Sequence, residues 1–380
     1  MGIDQLSKFL KKREVYETLN ISTLKYTKLG IDAPMFLYKF KGVTDPNTNE
    51  WLGCFVSFVT FLRKNDIHPI FVFEGRAPPE KAQAQEDRRE QKQKVMGKTD
   101  AMEQDLNEYI GSGTISPLLA ETWEKIKAKG NNKSLLVKPT LVKSFISTDD
   151  IKEEINHRRR YEISIKREDI VSLKQLLKIM GVSYIQSNGE AETDCVSLFY
   201  GGVIDYIVSE DTDVLAYFPP LEFENAFKEL KVIVNFNINE FTFTQISKQK
   251  VLETLNLTAE SFRDFCIMCG TDYNKNIFRV GVEKSYKFIS DYYTIENVPL
   301  DTTILNHIRG RELFEVKKNP KILKKVKWCR LPSGSFIENL TTFVMTYNLR
   351  NIDVEHVFNA LSQPDLEIFQ DLRITEPDSE

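Results

Sequence analysis

Apolar positions change period along the chain, and each change marks an element. "LGIDAPMFLYKF" opens as a short buried strand around Leu29–Ile31. "WLGCFVSFVTFLRKN" is apolar at 55, 58, 59 and 62, a helical period. "HPIFVFEG" follows as a continuous apolar strand of the kind buried on both faces. "REDIVSLKQLLKIMG" repeats at 170, 173, 176, 177 and 180, and Gly181 fits a helix C-terminal cap. "VSYIQ" then predicts a strand, "EAETDCVSLFYGG" a helix, and "DYIVSED" a strand again. This alternation predicts an α/β fold with a central, mostly parallel sheet flanked by helices. From about Phe241 onward the pattern is mostly helical. Between Gln83 and Lys166 the alternation lapses into a polar, Lys/Arg-rich region with a Gly/Ser break at "GSGTISP". We expect a largely helical insertion there, part of it mobile. No internal repeat is evident.

Composition narrows the class. A length of 380 residues allows one large domain or two ordinary ones. No apolar run reaches the 18 or so residues that span a membrane. The start, "MGIDQLSKFLKKREVYE", has no signal-peptide apolar core, and Leu6 stands where myristoylation needs Ser or Thr. The expectation is a soluble intracellular protein with no membrane partner. Five scattered cysteines (Cys54, Cys195, Cys266, Cys269, Cys329) argue against a disulfide framework. Cys266 and Cys269 form a lone CxxC with no second half, so core packing is the preferred role. The four histidines lie far apart, which leaves histidine-based metal or triad chemistry poorly supported. The net charge of −4 hides local excesses of base. Arg311 to Arg330 carries eight bases against two acids, and "HRRRYEISIKR" five against one. Such patches suit an anionic partner, although a solvated face is the default for any single one.

The acids are placed less ordinarily. Asp32 comes directly after "LGI", and Glu74 after "IFVF". Glu190 and Glu192 follow "VSYIQSNG", and Asp211 and Asp213 follow "DYIVSE". Four inferred strands thus end in acid, at the sheet edge where α/β proteins bind ligands. Asp211 and Asp213, two apart in an extended segment, would point the same way. Glu190 and Glu192 can share a site only if Glu190 stands where the chain enters its helix. The alternative is a capping box, Ser187-x-x-Glu190, in which Glu190 serves a backbone N–H. A cluster of carboxylates alone selects hard divalent ions, Mg²⁺ or Mn²⁺. Two such ions would orient a water, lower its pKa and stabilise the leaving oxygen of a phosphodiester.

The motifs "MGIDQLSKFL", "GIDAPMFLYKF", "PIFVFEGRAPPEK", "MGVSYIQSNGEAETDC", "SEDTDVLAYF" and "CGTDYNKNIFRVGVEKS", in this order, resemble the flap endonuclease and xeroderma group G (Rad2-type) family of structure-specific 5′ nucleases. The resemblance covers most of Met1 to Arg89 and Lys166 to about Leu361. It implies a PIN-like 5′ nuclease fold with a helical arch, a helix–turn–helix element and a helical C-terminal part. The segments expected are 1–95 and 166–275 for the nuclease core, 96–165 for the arch, 276–362 for a DNA-binding region and 363–380 for an acidic tail. By position, Asp32, Glu74, Glu190, Glu192, Asp211, Asp213 and Asp272 match the family's metal-site acids. Glu74 stands where flap members commonly have Asp. Lys81 and Arg88, seven apart, match basic residues that face the scissile phosphate from one helix. Gly2 belongs to the matching N-terminal motif, with a role in binding DNA. "FRVGVEKSYKFI" resembles the helix–turn–helix that holds duplex DNA, through Gly281 and Lys284. Arg279 replaces the first glycine of the usual Gly-x-Gly, which puts the family's K⁺ site there in doubt; Arg279 itself could supply the positive charge. At the C-terminus "QPDLEIFQ" superficially resembles a sliding-clamp peptide, with Gln370 in place of the second aromatic; an ordinary amphipathic helix is preferred.

What the resemblance implies is a Mg²⁺-dependent 5′ flap endonuclease or exonuclease that cuts branched DNA by two-metal catalysis in replication, repair or recombination. It would act as a monomer in the nucleus or another site of DNA replication. A 5′→3′ exonuclease and a Holliday-junction resolvase share the core. A non-catalytic branched-nucleic-acid binder is the alternative of another class, and the complete acid set argues against it. A PIN-type RNA nuclease would share the acidic edge but would not need "GVEKS".

Overall fold

Strands in the first half of the chain form where branched and aromatic residues run together, and the sheet takes its order from their crossovers. The computed structural model describes residues 3, 5–131, 147–160, 162–219, 223, 225, 228–323, 326 and 328–362. They fall into two compact units. The first comprises Met1–Phe40, Asn49–Ala84 and Ile165–Glu380, the second Lys41–Thr48 and Gln85–Ser164.

The first unit is built on a seven-stranded sheet. Its strands are β1 (Tyr16–Asn20), β2 (Lys28–Asp32), β3 (His68–Phe73), β4 (Ser183–Gln186), β5 (Tyr206–Val208), β6 (Lys231–Asn237) and β7 (Thr242–Ser247). The order is β1-β7-β6-β5-β2-β3-β4. The run from β6 to β4 is parallel throughout, while β7 is antiparallel to both β6 and β1. Ile31 is in register with both Phe71 and Val208, so β5, β2 and β3 end close to one another.

Each face of the sheet has its own core, and the period of two decides which residue joins which. Ile70 and Val72 of β3 enter one cluster, Phe71 and Phe73 the other. Ile207 and Val208 of β5 divide in the same way. Helices Ala191–Tyr200 and Ala259–Cys269 cover the first face; helices Glu50–Lys64, Arg167–Ile179 and Phe336–Thr346 cover the second. Gly181 caps helix Arg167–Ile179 at φ +68, the left-handed conformation that a C-terminal cap requires. A Cβ there would also lie 2.8 Å from the Arg330 carbonyl oxygen. Cys266 and Cys269 are free thiols buried in the core, as expected.

Three strands went unanticipated. β1 and β7 are rich in polar residues and carry no continuous apolar run, and β6 carries one of only three residues, Val232–Val234. β7 lies within the region expected to be mostly helical, and its pairing to β1 joins residues more than two hundred positions apart.

The second unit contains helix Thr148–Arg159, helix Pro117–Asn131 and most of helix Ala82–Ser112. It packs around Met102, Leu106, Leu119, Ile151 and Ile155. Its basic run does not stand free. Arg159 is shared among Asp100, Glu103 and Glu162 at 2.7, 2.6 and 2.8 Å, and Arg158 bonds Glu154 at 2.9 Å. Much of the charge read as a basic arch is therefore neutralised locally. The run beginning at Arg311 is likewise not uniform. Arg311 grips the buried Asp264 (Nε to Oδ1, 2.7 Å) and Glu296 (Nη1 to Oε1, 2.6 Å), tying helix His307–Leu313 to helix Ala259–Cys269.

Candidate active site

The sheet changes direction of growth between β5 and β2. The chain proceeds outward from β2 through β3 to β4, then returns to the other side of β2 as β5. At such a switch point the two loops leaving adjacent strands diverge and open a crevice at their carboxyl ends. Asp32 ends β2 on one side of it, and Asp211 and Asp213 follow β5 on the other. Glu74 follows β3, and Glu190 and Glu192 follow β4. The strand-end placement expected from the sequence is what the fold realises.

Local geometry differs from expectation at two points and decides between alternatives at a third. Asp211 and Asp213 do not lie in an extended segment. Asp211 is the N-cap of a short 3₁₀ turn, Thr212–Ala216, and its Oδ1 accepts from the Asp213 amide at 3.0 Å. The turn, rather than strand alternation, brings the pair together. Lys81 closes another short turn, Pro79–Lys81, just before helix Ala82–Ser112 begins, so it is not part of the helical face it was expected to share with Arg88. Arg88 belongs to the second unit. The capping-box alternative for Glu190 also fails. Glu190 is the N-cap of helix Ala191–Tyr200 by backbone position (φ −69, ψ 137), but its side chain caps nothing. Its Oε2 accepts from Lys81 Nζ at 2.5 Å instead. Ser187 takes the local role, accepting from the Gly189 amide at 3.0 Å.

Lys81 stands among three acids. Its ammonium lies 2.5 Å from Glu190, 3.6 Å from Asp272 and 4.0 Å from Glu74, with its side chain only 12% exposed. This links Asp272, which the strand argument could not reach, to the others. Asp32, Glu192, Asp211 and Asp213 form the remaining group. Burial first, and then the Asp211 and Glu74 charges, raise Asp32 to about 7. Burial with the Asp211, Asp32 and Asp213 charges pushes Glu192 well above the carboxylate range. Asp213 is pushed up by burial and by Asp211. Asp32, Glu192 and Asp213 are thus each raised first by burial and then by a neighbouring negative charge, as expected of like charges held in one low-dielectric pocket.

Partners that the sequence did not single out hold these acids in place. Ser209 Oγ accepts from the Asp211 amide at 3.1 Å and donates weakly to Asp32 Oδ2 at 3.5 Å. The Ile3 amide donates to Asp213 Oδ1. Ser209 sits inside "VSED", so its adjacency to the acids was the available signal; nothing local pointed to Ile3. Gly2 and the clamp-like "QPDLEIFQ" lie outside the described residues.

Among the described residues, no three Asp, Glu, His or Cys side chains are grouped closely enough to grip a metal ion as they stand. The donor chemistry nevertheless fits one kind of ion. The acids of the pocket offer carboxylate oxygens, and Glu190 Oε1 is buried with no hydrogen-bond partner among the described residues. A hard divalent cation suits such a set.

The turn between helices Ala259–Cys269 and Val282–Tyr292 carries the second group of candidates. Gly281 is the N-cap of the latter helix at φ −94, and no protein atom lies within 4 Å of where its Cβ would be. Neither backbone strain nor internal packing calls for glycine there; a bare surface at a helix start is what an external phosphate could use. Arg279 adopts φ +61, and its carbonyl accepts from Lys284 Nζ at 3.1 Å. In the turn where the sequence put a K⁺ site in doubt, the Arg279 carbonyl thus faces an ammonium.

Comparison with known proteins agrees with this architecture. The XPG N-terminal domain family matches residues 1–95, and the XPG I-region family matches residues 181–272. A probable RAD2-like endonuclease of Invertebrate iridescent virus 3 is 58% identical, over 97% of this chain and 99% of its own. Another, of Invertebrate iridescent virus 6, is 36% identical over 94% of this chain and 91% of its own. Among solved structures, the catalytic core of Rad2 in complex with DNA substrate shares the fold with a TM-score of 0.59 at 15% identity, covering 95% of this chain and 99% of that one. No helix among the described residues is long and apolar enough to cross a membrane.

Proposed function

The chain belongs to the family of RAD2-like endonucleases, and from that premise we propose that it hydrolyses phosphodiester bonds of branched or flapped DNA near single/double-strand junctions. The observation that carries this reading is the group of mutually repelling carboxylates at the switch point of the sheet, with a lysine ammonium at its margin.

Asp32, Glu192, Asp211 and Asp213, with Glu190, Asp272 and Glu74 beyond Lys81, would hold two Mg²⁺ or Mn²⁺ ions. When bound, such ions lower the pKa of an attacking water and neutralise charge on the phosphate. The protein's own contribution is positional. The Ile3 amide fixes Asp213, Ser209 fixes the turn at Asp211, and the loop clasp of Gly75 N to Gly189 O at 2.7 Å holds Glu74 near Glu190. Lys81 donates to Glu190 and offers a positive charge to a phosphate as its negative charge grows. Arg88 would join it from the adjoining helix. The bare helix start at Gly281, with Arg279 and Lys284, would bind the backbone of the duplex without reading its sequence.

The test is a substrate panel. A 5′-labelled flap, a four-way junction, a nicked duplex and single strands are incubated in Mg²⁺ and in EDTA, and cut sites are mapped. We expect cutting of the flap beside the junction in Mg²⁺ alone. Trimming of the nicked duplex from its 5′ end would instead indicate a 5′→3′ exonuclease, and paired nicks across the four-way junction a resolvase. Asp213→Asn should keep flap binding and lose cleavage. Near-normal cutting by that variant overturns the site assignment, and absence of cutting on every substrate would favour a non-catalytic binder.

A further inference from the structure

A cavity of about 500 Å³ opens beside the acid cluster, with Glu190 on its wall. That size is ordinary for a small-ligand site and ample for one nucleotide. Its walls come from residues 76–78, 187–194 and 309–319, with Tyr273 between them. The floor is rigid. Gly75 N donates to Gly189 O at 2.7 Å and Arg76 N to Asn188 O at 3.1 Å. A Cβ on Gly75 would lie 2.3 Å from the Ser187 carbonyl oxygen, so the two loops can close only over glycine.

Four bases and four acids line the cavity, and they are not all paired with one another. Arg309 is already paired, to Glu80 and Glu312 at 2.7 Å each, and Glu190 is paired to Lys81. Arg76, Lys317 and Lys318 remain; all three are exposed and no acid pairs with them among the described residues. Opposite stands Glu315, exposed, and Asp194, whose residue is only 9% exposed. Asp194 Oδ2 is buried with no hydrogen-bond partner among the described residues. A buried polar atom left unmatched by the protein is costly unless a ligand or water satisfies it.

We infer that this cavity is a subsite for one unpaired nucleotide of the substrate strand, with Arg76, Lys317 and Lys318 holding its phosphodiester and the buried Asp194 carboxyl meeting the polar edge of its base. This rests on the nuclease reading above and extends it, because the cavity adjoins Glu190 and would seat the strand a short distance from the reacting bond. Its cations lie on a wall distinct from the Gly281 turn, so duplex and unpaired strand are held by separate groups.

The experiment reads binding and cleavage separately. Dissociation constants are measured by fluorescence anisotropy in EDTA for a 5′ flap and for a nicked duplex that has no unpaired strand. Wild type is compared with R76A/K317A/K318A, whose melting temperature should be unchanged because all three side chains are exposed. The triple variant should bind the flap about tenfold or more weakly and the nicked duplex within twofold of wild type. The slope of log affinity against log salt for the flap should fall by about 0.7, the contribution of one neutralised single-strand phosphate. Replacing one linkage of the unpaired strand at a time by neutral methylphosphonate should find a position where the two proteins become equal. Asp194→Leu should alter affinity according to the base at that position. Equal weakening on both substrates, no change on either, or no linkage that closes the gap overturns the subsite. A wild type that shows the flap-specific binding but cuts nothing in Mg²⁺ refutes catalysis alone and leaves the strand-binding cavity supported.

Discussion

Asp32→Asn should stabilise the protein in EDTA, increasingly as pH rises. Asp32 is 6% exposed at the end of β2, beside Asp211 and Glu74. Its carboxyl is raised from 3.8 to about 7 in the folded protein. Between those values the folded state keeps a proton that the unfolded chain has released, so stability falls as pH rises through the window. Below about pH 4 both states are protonated and the term vanishes. By pH 8 both are ionised and the full difference, 7 − 3.8 or about 3 units, amounts to roughly 4 kcal/mol at 1.36 kcal/mol per unit. Asparagine fills the same space, still accepts from the Met35 amide, and carries no charge to repel its neighbours. Removing that charge also relieves Glu192, which Asp32 helps to raise. Urea denaturation followed by tryptophan fluorescence measures the effect, since Trp51 is buried in the same unit. The variant should match wild type or be slightly weaker at pH 4, and exceed it by about 2–4 kcal/mol at pH 8. Added Mg²⁺ should stabilise wild type more than the variant and narrow the gap. A difference that stays flat from pH 4 to pH 8 would show that the carboxylates do not share a desolvated pocket, and the case for the metal site would go with it.

Other perturbations test the frame around the site. Gly75→Ala forces a Cβ against the Ser187 and Asn188 backbone at 2.3–2.8 Å; we expect a loss of about 2–4 kcal/mol in chemical denaturation and a lower cleavage rate as the clasp opens. Arg311→Met strands the buried Asp264 carboxylate and should cost about 3–5 kcal/mol at pH 7; a melting temperature within a degree of wild type would contradict the network. Arg279→Gly relieves a left-handed backbone at φ +61, so thermal stability should hold or rise by about 0.5–1 kcal/mol. The same variant should bind duplex DNA several-fold more weakly, and unchanged affinity at every KCl concentration would show that Arg279 carries no phosphate contact.

The legible part of the fold was the part written in short-range periodicity. β2, β3 and β5 and the helices between them stood out because strands buried on both faces need unbroken apolar runs, while covering helices need a stripe at their own period. The edge strand β4, with one buried residue of four, followed from the alternation around it. β1, β6 and β7 were missed because polar residues interrupt them, and β1 also finds its partner more than two hundred positions away. The acids at strand ends were readable for the same reason the strands were. Asp272 was not, because it lies in a turn after a helix and reaches the others through Lys81 at 3.6 Å. The basic runs misled in the opposite direction: Arg159 and Arg311 are matched by acids elsewhere in the chain, whereas Arg76, Lys317 and Lys318 beside the site pair with no acid among the described residues.

By itself, the amino-acid order determined the alternating elements, the acids that close them and the family they resemble, since each depends on residues a few positions apart. The tertiary structure alone decided which acid feels which. Burial and electrostatic coupling depend on distances across β2, β3 and β5. Those distances exist only once the chain has crossed back over its own sheet and enclosed like charges where water cannot screen them.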